Sequence, residues 1–209
     1  MMLNKIVLAF CLVQGFTFGQ NFQFDPELLT GNRSVFYQHL LRVHTTDRVS
    51  FQNVFLIDHS YRKPEDQIYF FRNTVSYQAT PVWSSNISFG LKNPGLFGTF
   101  SLSIKKTSSL QTILYSFGVT VQRKMSLEQS LFLQREFITL KDCRIFYQVF
   151  IVLNLDNSGY IRGLQQFRIG LKKKGVQMGF GLNLDQFNNA QKVLHNHGLF
   201  LKLVLNSNK

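Results

Sequence analysis

Six basic residues, Arg72, Lys92, Lys105, Arg144, Arg168 and Lys172, occupy positions of like parity in segments whose side chains alternate between apolar and polar. On a β-strand like parity means one face, so these cations are expected to line a common polar surface. Two chemistries follow. The six can fill space as ion pairs, or they can form a basic path or pocket for a small anionic solute. Glu136 and Asp185 are the acids read on the same surface, too few to neutralise six cations, so an excess of positive charge is expected.

Other constellations carry less. His195-Asn196-His197 has the spacing of metal ligands, but two histidines underfill a zinc or copper site, and the segment reads as a solvated loop. Asp58-His59, joined by any of the many serines, would make a lipolytic triad only if a motif fixed the serine, and none does. Glycines at 118, 170, 179 and 181 alternate along strands with apolar partners, so they make room inside a narrow barrel and do not form a phosphate loop. No catalytic residue, metal site or cofactor is expected. The formal charge of +12 does not point to nucleic acid, because the cations are dispersed over several turns (Lys105-Lys106, Arg123-Lys124, Lys172 to Lys174), where they suit anionic lipid head groups.

The elements that must position these residues follow from a period of two. From Ser34 onward, segments of about ten residues alternate, with no stretch of helical periodicity. Tyr69, Phe71, Val75 and Tyr77 oppose Phe70, Arg72, Thr74 and Ser76; Ile145, Tyr147, Val149, Ile151 and Leu153 oppose Arg144, Gln148 and Asn154; Phe167, Ile169 and Leu171 oppose Gln166, Arg168, Gly170 and Lys172. One face is aliphatic and aromatic. The other carries Gly, Ser, Gln, Asn and isolated cations, unlike the charge-rich outer face of a soluble sheet. With aromatic residues at segment ends, this is the pattern of a transmembrane antiparallel up-and-down β-barrel with lipid outside and a polar lumen. A soluble periplasmic β-barrel binding protein is the alternative, since it alternates too.

Composition and the amino terminus agree. Phe is over-represented at 22 residues and Pro is down to 4 among 209, with 44% hydrophobic and 16% charged residues, which excludes disordered and collagen-like chains. Residues 1–19 read as a secretory signal peptide: a weakly basic start, an apolar run from Ile6 to Phe18 too short to span hydrocarbon, and small residues at the cleavage positions Thr17 and Gly19. Lipidation at Cys11 is disfavoured by the bulky Phe10 before it. Cleavage removes Lys5 and Cys11, taking the charge from +12 to +11 and the cysteines from 2 to 1, so no internal disulfide is expected. Residues 20–209 form the expected barrel domain.

Turn lengths set the expected topology. Short links (45–48, 80–83, 106–109, 141–142, 173–175) alternate with longer ones (59–67, 92–96, 123–128, 156–160, 185–198), as periplasmic turns alternate with external loops. Eleven clear segments result, odd by one. Asn21 to Phe24 is the candidate for the missing strand, cut short by Pro26, which gives twelve strands with a weak first one, or ten as the alternative. Gln129 to Leu140 alternates poorly, because no single face hides both Arg135 and Glu136.

The stretches Gln166-Phe167-Arg168-Ile169-Gly170-Leu171, Gln177-Met178-Gly179-Phe180-Gly181-Leu182-Asn183-Leu184-Asp185-Gln186-Phe187 and Gly198-Leu199-Phe200 resemble the C-terminal part of uncharacterised outer-membrane β-barrel proteins of Bacteroidetes-type bacteria. Phe70-Phe71-Arg72-Asn73 to Ser76-Tyr77 fits the same group. The resemblance implies a barrel in the cell outer membrane and brings no known activity. One departure is that such proteins often finish on an aromatic residue, whereas this chain finishes Leu205-Asn206-Ser207-Asn208-Lys209 with Phe200 the nearest aromatic. The expected function is a non-enzymatic narrow pore, or a binding or structural element, with outer-membrane lipid and a small anionic solute as partners. A lipid-modifying enzyme is the alternative.

Overall fold

Alternation becomes architecture in a computed structural model, which describes residues 21–93, 95–138 and 143–207. The predicted signal peptide, residues 1–19, and the turn at 141–142 lie outside the described residues. Twelve strands run antiparallel in sequence order: β1 (Asn21–Gly31), β2 (Ser34–His44), β3 (Val49–Ser60), β4 (Ile68–Gln78), β5 (Trp83–Lys92), β6 (Gly95–Thr107), β7 (Gln111–Val121), β8 (Met125–Ile138), β9 (Cys143–Asp156), β10 (Gly159–Lys173), β11 (Val176–Phe187) and β12 (Lys192–Leu203). A two-residue continuation, β13 (Leu205–Asn206), follows β12. Each strand pairs with its neighbours in sequence, and β12 returns to β1, closing the barrel.

The twelve-strand expectation holds, but the first strand is neither weak nor short. β1 runs through Pro26, which sits opposite His39 of β2. A proline has no N–H to give to a ladder, and the cost appears on the closing side. There the pairing is interrupted between Phe24↔Leu205 and Glu27↔Lys202, which splits β13 from β12. The N–H of Val204, in the gap, donates instead to the carbonyl of Gly175 at 2.7 Å.

The two faces are inverted relative to a soluble protein. Ile87, Phe100, Ile169, Phe180 and Leu199 project outward and are all more than half exposed, whereas Glu27, Gln166 and Arg168 project inward and are 2% exposed or less. Exposed apolar side chains on every side and a polar interior place this wall in lipid, and closure leaves no unpaired sheet edge there. β8 resolves its own ambiguity by parity. Glu136 turns inward and is buried, while Arg135 turns outward close to the end of the strand, its guanidinium 5.5 Å from the ring centre of Phe137.

Both ends of the described chain lie at one mouth, here the near mouth, with the links 45–48, 79–82, 108–110 and 174–175; the far mouth has the links 32–33, 61–67, 122–124, 157–158 and 188–191, and Asn93. Among the described links the expected alternation of short and long is not found, because the strands extend into most of the segments read as loops. The clearest correction is 185–198. Asp185 to Phe187 complete β11, Lys192 onward is β12, and the turn between them folds back within four residues, with Asn188, Asn189 and Ala190 at φ of 50°, 55° and 62°. Of the long links, 61–67 survives, with a single 3-10 turn at Pro64–Asp66.

Gly170 of β10 and Gly179 of β11 are direct cross-strand partners. A Cβ on Gly179 would lie 2.6 Å from the Gly170 Cα and 2.1 Å from the carbonyl oxygen of Ile169, so this tight approach admits no side chain.

Candidate functional site

Strand pairing carries all six predicted cations to the lumenal face, and the structure divides them by depth. Arg72 (β4) and Lys92 (β5) lie towards the far mouth, Arg168 (β10) in the middle, and Lys105 (β6), Arg144 (β9) and Lys172 (β10) towards the near mouth. The expected shortage of acids is corrected. Asp25, Glu27, Asp58 and Glu128 also turn inward, and all four are buried. Arg33, Arg42, Arg162 and Lys202 are lumenal cations that the sequence reading missed.

In the far half each guanidinium has a carboxylate. Arg72 Nη2 donates to both oxygens of Glu128 at 2.8 and 2.9 Å, and Thr120 Oγ1 donates to the same carboxylate at 3.2 Å. Arg162 Nε and Nη2 donate to the two oxygens of Asp185 at 3.1 and 2.7 Å. Arg33 pairs with Asp58 at the rim. Aromatic rings take up the remaining faces: Arg72 lies 5.2 Å from the ring centre of Phe70 and 5.1 Å from that of Phe97, and the Lys92 ammonium lies 4.8 Å from Phe97.

The middle is packed. Arg168 Nε and Nη2 both donate to Glu27 Oε1, at 2.8 and 2.7 Å, while Nη1 donates to the carbonyls of Phe167 and Leu182. The two side chains are 1% exposed. Leu29, Phe36, Phe146 and Phe200 close around them as part of one apolar cluster. Gly181 makes this arrangement possible, since a Cβ there would stand 2.4 Å from Leu29 Cδ1 and 3.1 Å from Arg168 Cδ. On this side of the barrel the lumen is filled, not open.

The near half differs. Arg144 and Lys172 share one carboxylate, Glu136, at 2.9 and 2.5 Å, and their side chains are 45% and 27% exposed. Asp25 faces the charges of Lys202, Arg42 and Lys172. Arg42, Lys105 and Lys202 have no carboxylate within 4 Å among the described residues. The predicted excess of positive charge is therefore present, and it is concentrated at one mouth.

The other sequence candidates do not assemble. Asp58 turns inward to Arg33, and its neighbour His59 turns outward, so they share no site. His195 and His197 are not in a loop. They lie on the outer face of β12 with parallel rings 6.4 Å apart, while Asn196 between them turns inward, fully buried, and holds the backbone of Arg33 and Ser34. No cluster of metal-ligating residues occurs among the described residues. A concavity of about 580 Å³ is lined mainly by outward apolar side chains such as Val149, Phe167, Ile169 and Phe180, which makes it a surface for acyl chains.

No protein-family model matches the chain, and no curated protein matches it. Among solved structures, a KdgM porin is similar at 11% identity with a TM-score of 0.52, over 87% of this chain and 98% of that one. A bacterial polysaccharide outer membrane secretin (6% identity, TM-score 0.42, 90% of this chain and 98% of that one) and a loop-deleted OmpT, an outer membrane protein of Vibrio cholerae (9%, TM-score 0.40, 89% and 98%), are more distant. The likeness to the porin shows the fold, a closed twelve-stranded transmembrane β-barrel of the porin type.

Proposed function

We propose that this chain is a non-enzymatic barrel of the cell outer membrane, made with a cleaved signal peptide, that takes small anionic solutes into a cation-lined near mouth and passes them through a narrow, largely occluded lumen. The observation that carries the reading is the set Arg42, Lys105 and Lys202, which has Asp25 nearby but no carboxylate within 4 Å among the described residues, beside the part-exposed pair Arg144 and Lys172. A fixed positive lumen raises the local concentration of anions and repels cations. The near mouth faces the periplasm in this reading, as the common position of both chain ends suggests for an even-stranded barrel. Kinship with outer-membrane barrels of Bacteroidetes-type bacteria belongs to the same proposal, and rests on the motifs of β10 to β12.

The test is the reversal potential of the purified barrel in a planar bilayer under a potassium chloride gradient. A small conductance with anion preference is expected, weakened when Arg42 and Lys202 are both replaced by Gln. Cation preference, or a preference unchanged in the double variant, would place selectivity elsewhere. No current at all would sink the pore and leave a binding or structural barrel.

A further inference from the structure

On the outside of the barrel, where β2, β3 and β4 lie side by side, four polar side chains form a continuous run of hydrogen bonds. The Tyr37 hydroxyl lies 3.1 Å from His39 Nδ1, His39 Nε2 lies 3.1 Å from Asn53 Oδ1, and Asn53 Nδ2 donates to Asn73 Oδ1 at 2.8 Å. With the His39 proton on Nε2 every bond runs the same way, from the phenol to Asn73. Asn53 and Asn73 are direct cross-strand partners. The His39 ring stacks on Phe55 at 5.6 Å and meets Phe24 at 5.3 Å.

Parity puts all four on the lipid side, and position puts them deep. Along the outer face of β4, Asn73 is central, flanked by Phe71 and Val75 and then by Tyr69 and Tyr77 at the strand ends. The ester groups of a lipid lie at head-group level, so this depth suits contact with protein and not chemistry on lipid. Hydrocarbon offers no hydrogen-bond partner, and an unsatisfied amide there is costly. The inner members of the run are bonded on both sides, but its last member on one only: the Asn73 amide nitrogen donates to no group among the described residues, and Asn73 Oδ1, with two lone pairs, accepts one bond.

We propose that the outer face of β2 to β4 is a dimerisation surface, on which a second copy of this chain docks about a two-fold axis so that the two Asn73 amides exchange hydrogen bonds. A side-chain amide is both donor and acceptor, so it pairs with its own copy across a two-fold axis, as an isologous interface requires. The rest of the face is compatible with self-association. Its outward positions, from Val35 to Val43 on β2, Val49 to His59 on β3 and Tyr69 to Tyr77 on β4, carry no Asp, Glu, Lys or Arg, so two copies meet without like-charge repulsion. The polar run behind Asn73 fixes its orientation in advance.

The experiment measures energy transfer between donor-labelled and acceptor-labelled full-length barrels in phosphatidylcholine vesicles as the protein-to-lipid ratio is lowered. Transfer that falls with dilution is expected for the wild type. Asn73→Leu should need about tenfold more protein per lipid for the same transfer, in line with membrane hydrogen bonds of modest strength, whereas Leu199→Ala on another part of the wall should match the wild type. Should Asn73→Leu fail to fold, judged by loss of heat-modifiable mobility, disulfide cross-linking in a Cys143→Ser background gives the answer. Val75→Cys should link two chains and Ile169→Cys should not. Absence of transfer at every dilution, transfer indifferent to Asn73→Leu, or equal linking at 75 and 169 would overturn the dimer.

Discussion

The far and near halves of the lumen hold the same kinds of side chain under opposite rules. In the far half and the middle, Arg72, Arg162 and Arg168 each meet a buried carboxylate and an aromatic ring. Near the other mouth two cations divide one carboxylate and three have none within ion-pair distance among the described residues. Burial is the difference. A guanidinium removed from water must be paired or it costs several kcal/mol, whereas a cation at a wet mouth keeps its hydration and is free to attract a solute. Pairing is therefore the rule for the guanidiniums of the far half and the middle, the buried Lys92 resting on the Phe97 ring instead, and most of the spare charge collects at the near mouth.

The sharpest way to break this contrast is Glu27→Gln, which leaves Arg168 charged and buried. It should destabilise the barrel by roughly 3 to 5 kcal/mol in reversible denaturant unfolding from vesicles; a cost under 1 kcal/mol would mean that water reaches the middle. Next comes the wall that both halves share. Val149 faces lipid, so Val149→Arg should cost about 2 to 4 kcal/mol in the same assay, and a neutral result would reverse the face assignment of β9. Lys172→Gln sharpens the comparison from the near side. Its partner Glu136 keeps Arg144, and the pair is part-exposed, so the stability change should stay below about 1 kcal/mol while anion preference drops.

The smallest effect lies at the far rim, where Lys192 Nζ donates to Asp66 at 2.6 Å and holds that carboxyl below its ordinary range. A depressed folded-state pKa contributes stability above the unfolded value and loses it as pH falls through the folded one. The Asp66 carboxyl carbon should therefore titrate below the ordinary aspartate range by NMR, and Lys192→Met should bring the midpoint back towards that range. A midpoint unmoved by the substitution would detach the 61–67 link from β12.

Parity made the wall and its cations readable in advance: Arg72, Lys92, Lys105, Arg144, Arg168 and Lys172 all turn inward as alternation requires. What parity could not reach were the partners. Asp25 and Glu27 flank Pro26, which reads as the end of a strand, yet the strand continues because the missing N–H falls on the interrupted side of its ladder. The stretch 185–198 looked like a loop for a different reason. A lumen welcomes Asp185 and Asn196, and the lipid side here accepts His195 and His197, so neither face shows the usual contrast. The run from Tyr37 to Asn73 was hidden likewise, since each polar residue alone interrupts an otherwise apolar face and only pairing between strands unites them.

The interrupted ladder between β1 and the last strands bears on how such a chain comes together. Every other ladder joins strands adjacent in sequence and needs only a short hairpin closure, which is fast and local. This one joins Glu27 to Lys202, nearly the whole chain apart. Each doubling of a closed loop adds about 0.6 kcal/mol of entropy cost, so the largest ordering penalty falls on the shortest set of bonds. The seam should be the last joint to form and the first to part. Until it forms, the chain is a curled sheet with two bare edges, and hydrocarbon cannot satisfy an edge. Entry into the bilayer and closure of the ring are on this account a single event, during which something other than lipid must cover β1 and β12.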